Sequence, residues 1–192
     1  PNLPSTRTAC PVIRITKKMI PSFPEVPMRF APDKMDSPLL VPPPNFGMVD
    51  KGIYRSGFPS KLNFDFLTQL RLKSVVRLCS ERDSSFEDFC QRRNVQILDL
   101  GTEGNREPFV EIDSKVLQTA LAHITDQKKL PVLVHCSKGK HRTGCVVACL
   151  RKLQRRSLTF IFDEYERFTG RGKSELLDLQ FIELFESTTR QK

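Results

Sequence analysis

The sequence predicts an α/β domain with a mostly parallel central sheet and helices on both faces. Three observations predict it. Short β-branched runs alternate with segments whose apolar residues recur at helical spacing, the signature of strand–helix–strand units. The run Pro131-Val132-Leu133-Val134 is apolar without a break, as suits a strand buried on both faces of a parallel sheet. Proline is confined to one end: eleven of the 14 lie in residues 1–44, and only Pro59, Pro108 and Pro131 lie beyond. Such density removes backbone donors and prevents helix and sheet interior alike. Residues 1–38 therefore read as an extended or disordered leader, with Pro42-Pro43-Pro44 a stiff lead-in to a domain over residues 39–188.

The elements follow in order. Gly52–Arg55 reads as a short strand. Between Asn63 and Leu72, apolar residues at 64, 66, 67, 70 and 72 make a helical stripe. Ser74–Leu78 is short and β-branched, a strand. Ser84 or Ser85, with Glu87 and Asp88 behind it, opens a helix to about Arg93. Val95–Leu100 is the next strand. Asp113 or Ser114 opens a helix through Ile124, with Val116, Leu117, Ala120, Leu121 and Ile124 on one face. Pro131–Val134 is the fourth strand. Thr143–Leu153 is a helix whose first half is apolar all round, hence deeply buried. Ser157 or Thr159 caps a helix to about Phe168, and Glu175–Phe185 makes the last.

Composition narrows the classes. The chain has 192 residues, 39% hydrophobic and 28% charged, ordinary for a globular domain. No apolar run approaches the roughly 18 residues of a membrane span. The net charge of +9 favours anionic partners without choosing among them. Two tyrosines and no tryptophan leave no aromatic-rich basic strand for stacking bases, which argues against nucleic acid. The six cysteines include no Cys-x-x-Cys pair, and the histidines do not join them at zinc-finger spacing. Cys145 and Cys149 stand one helical turn apart in an apolar run and read as small core residues. A reducing compartment is expected, the cytoplasm or the nucleus.

The segment that carries chemistry is Val134-His135-Cys136-Ser137-Lys138-Gly139-Lys140-His141-Arg142-Thr143-Gly144. A buried strand ends at Cys136, a six-residue loop follows, and a helix begins at about Thr143. In such a loop the amides of residues 137–142 can converge on one point, to which the helix adds its positive end. That arrangement binds a tetrahedral oxyanion. Arg142 can hold two oxygens of a phosphoryl group at once, and Gly139 permits the tight turn. The same field favours thiolate over thiol, so Cys136 is expected to attack phosphorus and form a phosphocysteine that water later hydrolyses. Thr143 can donate its hydroxyl to that thiolate. His135 is read as orienting the loop through hydrogen bonds, the alternative being a satisfied core histidine. Lys138, Lys140 and His141, beside Arg142 and Ser137, complete the expected phosphate site. Arg106, Arg171 and Lys173 would extend it if their loops fold over the mouth. Arg151, Lys152, Arg155 and Arg156 are expected to answer the negative end of their own helix.

Cys-x5-Arg, after an apolar strand and His and before Thr-Gly, resembles the signature of the cysteine-based protein tyrosine phosphatase superfamily. Lys140 and His141 differ from the small residues of typical dual-specificity members. Together with Pro43-Pro44-Asn45-Phe46, Gly52–Pro59, Glu103-Gly104-Asn105, Glu107–Val110 and Ile161–Tyr165, they make residues 41–185 similar to the atypical dual-specificity phosphatases of plants and fungi. The resemblance implies a dual-specificity phosphatase-like fold, no metal or other cofactor, and hydrolysis of the β-phosphate of inositol pyrophosphates, with phosphotyrosine-type activity besides. A phosphoprotein phosphatase and a non-catalytic inositol-phosphate binding module are the alternatives. A monomer is expected. The family's general acid would fall among Glu103, Glu107, Glu111 and Asp113. Asp113 is the choice because it ends a loop and opens a helix, and simple capping is the competing reading. Cys79 ends a strand expected beside that of Cys136, so a reversible Cys79–Cys136 disulfide under oxidant is a further expectation.

Overall fold

The computed structural model describes residues 39–105, 112–170 and 176–186. The predicted leader lies outside the described residues. Five strands form one sheet: β1 (Gly47–Asp50), β2 (Ile53–Ser56), β3 (Ser74–Arg77), β4 (Gln96–Asp99) and β5 (Val132–His135). Their order is β1-β2-β5-β3-β4. Only β1 and β2 are antiparallel, a hairpin turned at Lys51-Gly52. The others run parallel, with Ser56 and Arg77 both level with His135. The expected mostly parallel sheet is thus present, with one strand more than expected.

Helices α1 (Phe64–Gln69), α2 (Ser84–Arg92), α3 (Ser114–Thr125), α4 (His141–Leu153), α5 (Leu158–Thr169) and α6 (Leu176–Leu184) cover the sheet. The period-2 alternation of a strand sorts the core into two layers. Val75 and Leu133 meet Leu67 of α1 and Phe86, Phe89 and Cys90 of α2 on one face. Val76, Val132 and Val134 meet α3, α4, Ile161 and Tyr165 of α5 and Ile182 of α6 on the other. Each fully buried Val, Leu or Phe contributes about 1.5–3 kcal/mol, so β5, buried at every residue and flanked on both faces, is firmly fixed. That matters because the loop after β5 lies at the carboxyl end of the parallel strands, where ligands of such sheets bind.

Several starts and stops differ from expectation for identifiable reasons. Asp83, not a serine, caps α2, its carboxylate accepting from Ser85 N at 2.7 Å. Asp113 caps α3 and Ser157 caps α5, each one of the two residues expected there. Helix α4 begins two residues early, so His141 and Arg142 belong to its first turn. Every residue from Thr143 to Leu150 is buried, as the apolar run requires, with Cys145 and Cys149 inside the core. Arg151 and Lys152 stand in the last turn of α4, as expected, and also reach neighbouring helices. Arg151 forms a two-pronged pair with Glu164 of α5, at 2.7 and 2.9 Å. Lys152 donates to the carbonyls of Ile182 and Glu183 at the carboxyl end of α6.

Candidate active site

The segment from Cys136 to Thr143 is shaped by what holds its carbonyls. Phe58 N donates to Ser137 O at 3.0 Å, Asn45 Nδ2 to Lys138 O at 2.8 Å, and Arg55 Nη2 to Gly139 O at 2.9 Å. Three consecutive carbonyls are therefore drawn outward. Because a peptide's N–H opposes its C=O, the amides of Lys138, Gly139 and Lys140 are turned to the inner side. Lys140 precedes α4 without a side-chain cap, which leaves the orphan amides of that helix start for an anion. Gly139 has φ +69°, and it packs so tightly on the end of β2 that a β-carbon would sit 2.5 Å from Ser56 O.

Cys136 lies at the base of this cradle, 3% exposed. Arg142 is half-buried beside it. Its Nη1 donates to Leu78 O at 3.3 Å and Thr102 O at 3.0 Å, and its Nη2 to Ser137 Oγ at 2.8 Å. The carbonyls that follow β3 and β4 thus aim the guanidinium, and Nε with one Nη2 proton makes no hydrogen bond among the described residues. Thr143 is fully buried, and its hydroxyl has no partner among the described residues. The expected donation to Cys136 is not formed, and the proton is uncommitted.

The remaining predicted site residues divide. The Lys138 side chain is exposed. Lys140 Nζ donates to Thr169 O at 3.2 Å, on the carboxyl end of α5. His141 Nδ1 lies 3.0 Å from both Tyr165 Oη and Asp178 Oδ2. Asp113 is exposed, and its carboxylate takes the amide of Lys115 at 2.7 Å as a helix cap. Arg106, Glu107, Glu111, Arg171 and Lys173 lie outside the described residues.

His135 is fully buried at the end of β5, its ring close to the Cys136 backbone without a well-formed hydrogen bond among the described residues. The ring packs edge-on against Phe58 and Phe86, at 5.2 and 5.7 Å between centroids. Burial draws its pKa down to about 4, with the Cys136 backbone opposing, so it is neutral at neutral pH. Cys79 is buried where β3 ends, on the strand that pairs with β5. Burial pushes its thiol up, and Glu81 adds to that.

The residues that sequence reasoning missed sit behind the loop. Asp178 of α6 is 1% exposed. It accepts from Asn105 Nδ2 at 2.7 Å and from the Tyr165 hydroxyl, and it faces His141. Asn105 Oδ1 accepts from Ile112 N at 2.9 Å. Burial alone would raise the Asp178 carboxyl, but bonds from His141, Tyr165, Asn105 and Cys145 outweigh it and hold it below the usual range. This network joins the first turn of α4 to α5, to α6 and to both sides of the 106–111 stretch. Asn45, Arg55 and Phe58 all fall in the short motifs singled out above, and that was the available signal.

A cysteine at the carboxyl end of a central parallel strand, an outward-carbonyl loop and an arginine six residues on define a cysteine-based phosphatase. The chain belongs to the tyrosine phosphatase family, whose model matches residues 40–192. It is 50% identical over 149 residues to inositol diphosphatase DSP1 of Oryza sativa subsp. japonica, covering 77% of this chain and 67% of that protein. It is 48% identical over 149 residues to inositol diphosphatase DSP4 of Arabidopsis thaliana, covering 77% and 75%. The crystal structure of the core catalytic domain of the PP-IP phosphatase SIW14 from S. cerevisiae, in complex with citrate, superposes with a TM-score of 0.72. It is 43% identical and covers 77% of this chain and 89% of that one.

Proposed function

We propose that the chain hydrolyses the β-phosphate of inositol pyrophosphates through a phosphocysteine on Cys136. The observation that carries the reading is the loop itself. Ser137, Lys138 and Gly139 each have their carbonyl tied outward, ahead of an uncapped helix start, and that is a cradle for a phosphoryl group. The names of the relatives support the pyrophosphate as substrate. The exposed Lys138 and the uncommitted protons of Arg142, beside one cradle, suit a substrate that carries more than one phosphate.

In the first step Cys136 Sγ attacks the β-phosphorus. The S–P bond forms, the bridging P–O bond breaks, and the inositol phosphate leaves with that electron pair. Loop amides and the uncommitted protons of Arg142 hold the non-bridging oxygens. In the second step water attacks the same phosphorus, the S–P bond breaks, and inorganic phosphate and the thiolate are released. The Thr143 proton is then at hand for the departing sulfur.

A phosphate leaving group needs little protonation, unlike an alkoxide. Asp113→Asn is therefore expected to leave pyrophosphate cleavage within about twofold and to slow alkyl phosphate ester cleavage tenfold or more. Asn caps helices as well as Asp, so stability is not confounded. Rapid-quench mass spectrometry with a diphosphoinositol polyphosphate is expected to find one phosphoryl group on Cys136. Equal large losses on both substrates, or a phosphoryl group elsewhere, overturn the reading.

A further inference from the structure

Arg55 is an anomaly of the core. It stands within β2 and is 1% exposed, with its guanidinium 3.7 Å over the ring of Phe168. Nη2 donates to Gly139 O at 2.9 Å. Nε and Nη1 are buried without a hydrogen-bond partner among the described residues. A side chain at Gly144 would come within 3.8 Å of Nη2, so the guanidinium lies against the first turn of α4 as well as under the loop.

A buried cation is costly unless an anion answers it. Burial lowers the pKa of Arg55 to about 10, which still leaves it charged at neutral pH. The ionisable groups near enough to act on its charge are Glu164, Cys136, Tyr165 and Cys145. Glu164 has both oxygens on Arg151, so Arg55, Arg151 and Glu164 together keep one positive charge over. The Tyr165 hydroxyl donates to Asp178. Burial holds the Cys145 thiol well above the usual range, helped by Asp178, so it is neutral. Of these four described groups, that leaves Cys136.

We propose that Arg55 is a positioning residue that acts on Cys136 from behind the loop. It holds the Gly139 carbonyl outward, which turns the loop amides toward the phosphoryl group and the Cys136 sulfur, and it sets a buried positive charge behind that loop. The other titratable and charged groups that share this electrostatic environment are Arg142 and Cys145 of α4, Cys79 beyond the end of β3, and the neutral His135. Of the two arginines, Arg142 has uncommitted protons for substrate, whereas Arg55 is sealed under the loop and reaches substrate only through it.

The proposal rests on Cys136 being the nucleophile and is independent of which phosphorylated substrate is used. The test is alkylation of Cys136 by iodoacetamide in the whole chain, followed by peptide mass mapping at about pH 6 and about pH 9. In the wild type the two rates are expected to be nearly equal. A wild-type Cys136 that reacts at low pH as slowly as an ordinary thiol defeats the nucleophile reading itself. In Arg55→Met the low-to-high pH ratio is expected to fall roughly tenfold, with circular dichroism unchanged, and Arg55→Lys is expected to restore most of it. A folded Arg55→Met protein with the wild-type ratio overturns the proposal. Should that variant not fold, the Arg55 Nε–H resonance decides, compared between the wild type and Cys136→Ser. A clear shift supports the proposal, and an unmoved resonance overturns it.

Discussion

Gly139→Ala is expected to lower kcat/KM at least about 100-fold, the scale of losing one oxyanion donor. Two independent costs act at this residue. Its φ of +69° penalises a β-carbon by roughly 1–2 kcal/mol. The added carbon would also overlap the backbone of Ser56 and Gly57, and relieving such an overlap costs about 1–3 kcal/mol. The loop must therefore move off β2, which breaks the bond from Arg55 to the Gly139 carbonyl and lets that peptide rotate. Urea unfolding is expected to register a loss of about 2–5 kcal/mol. Gly101→Ala is the control, since its β-carbon would meet nothing nearer than 3.5 Å. Wild-type turnover and stability in Gly139→Ala would mean that the cradle is not held from behind in this way.

Asp178→Ala carries the largest expected loss of stability, about 3–5 kcal/mol, the cost of removing one partner from a buried polar cluster. Its carboxylate answers Asn105, Tyr165 and His141, and Asn105 and Tyr165 would be left behind in a water-poor interior. Activity is expected to fall roughly ten- to a hundredfold as well, because His141 sits in the first turn of α4. The pH dependence has a definite sign. The folded carboxyl titrates below its usual range, so its contribution is present above the unfolded value of about 3.9 and is lost as pH falls through the folded value. Urea titrations on the acid side are expected to find a shallower stability loss in Asp178→Ala than in the wild type. A parallel pair of curves would contradict the assignment.

Much of the fold was legible because its signals are local. The alternation of Val75 and Val76, or of Leu133 and Val134, between two core layers is written in hydrophobic pattern alone. Strand β1 was not, because it is an edge strand of Gly, Met, Val and Asp with only Val49 buried, and such a run carries no pattern. The early start of α4 was hidden for a related reason: no side chain caps it, so no capping residue marks it. Cys136, Arg142 and Gly139 were legible because the oxyanion chemistry needs them at fixed spacing on one loop. Arg55 and Asp178 were not. Arg55 meets Gly139 across 84 residues. Asp178 meets His141 across 37 and Asn105 across 73. A charged residue inside a strand or helix is ordinarily a solvated face, and only the tertiary partners reverse that. His135 was legible as a residue beside the loop, but the rings of Phe58 and Phe86 that pack against it were not, because they lie far off in sequence.

The central claim is that the loop at Cys136 is built for a diphosphate on a densely charged ring. Phosphate release from a diphosphoinositol polyphosphate, measured against a phosphotyrosine peptide at matched low concentration with Cys136→Ser as control, tests it most directly. Faster turnover of the diphosphoinositol substrate, with none above background in Cys136→Ser, is the predicted result. Faster turnover of the phosphopeptide would contradict it.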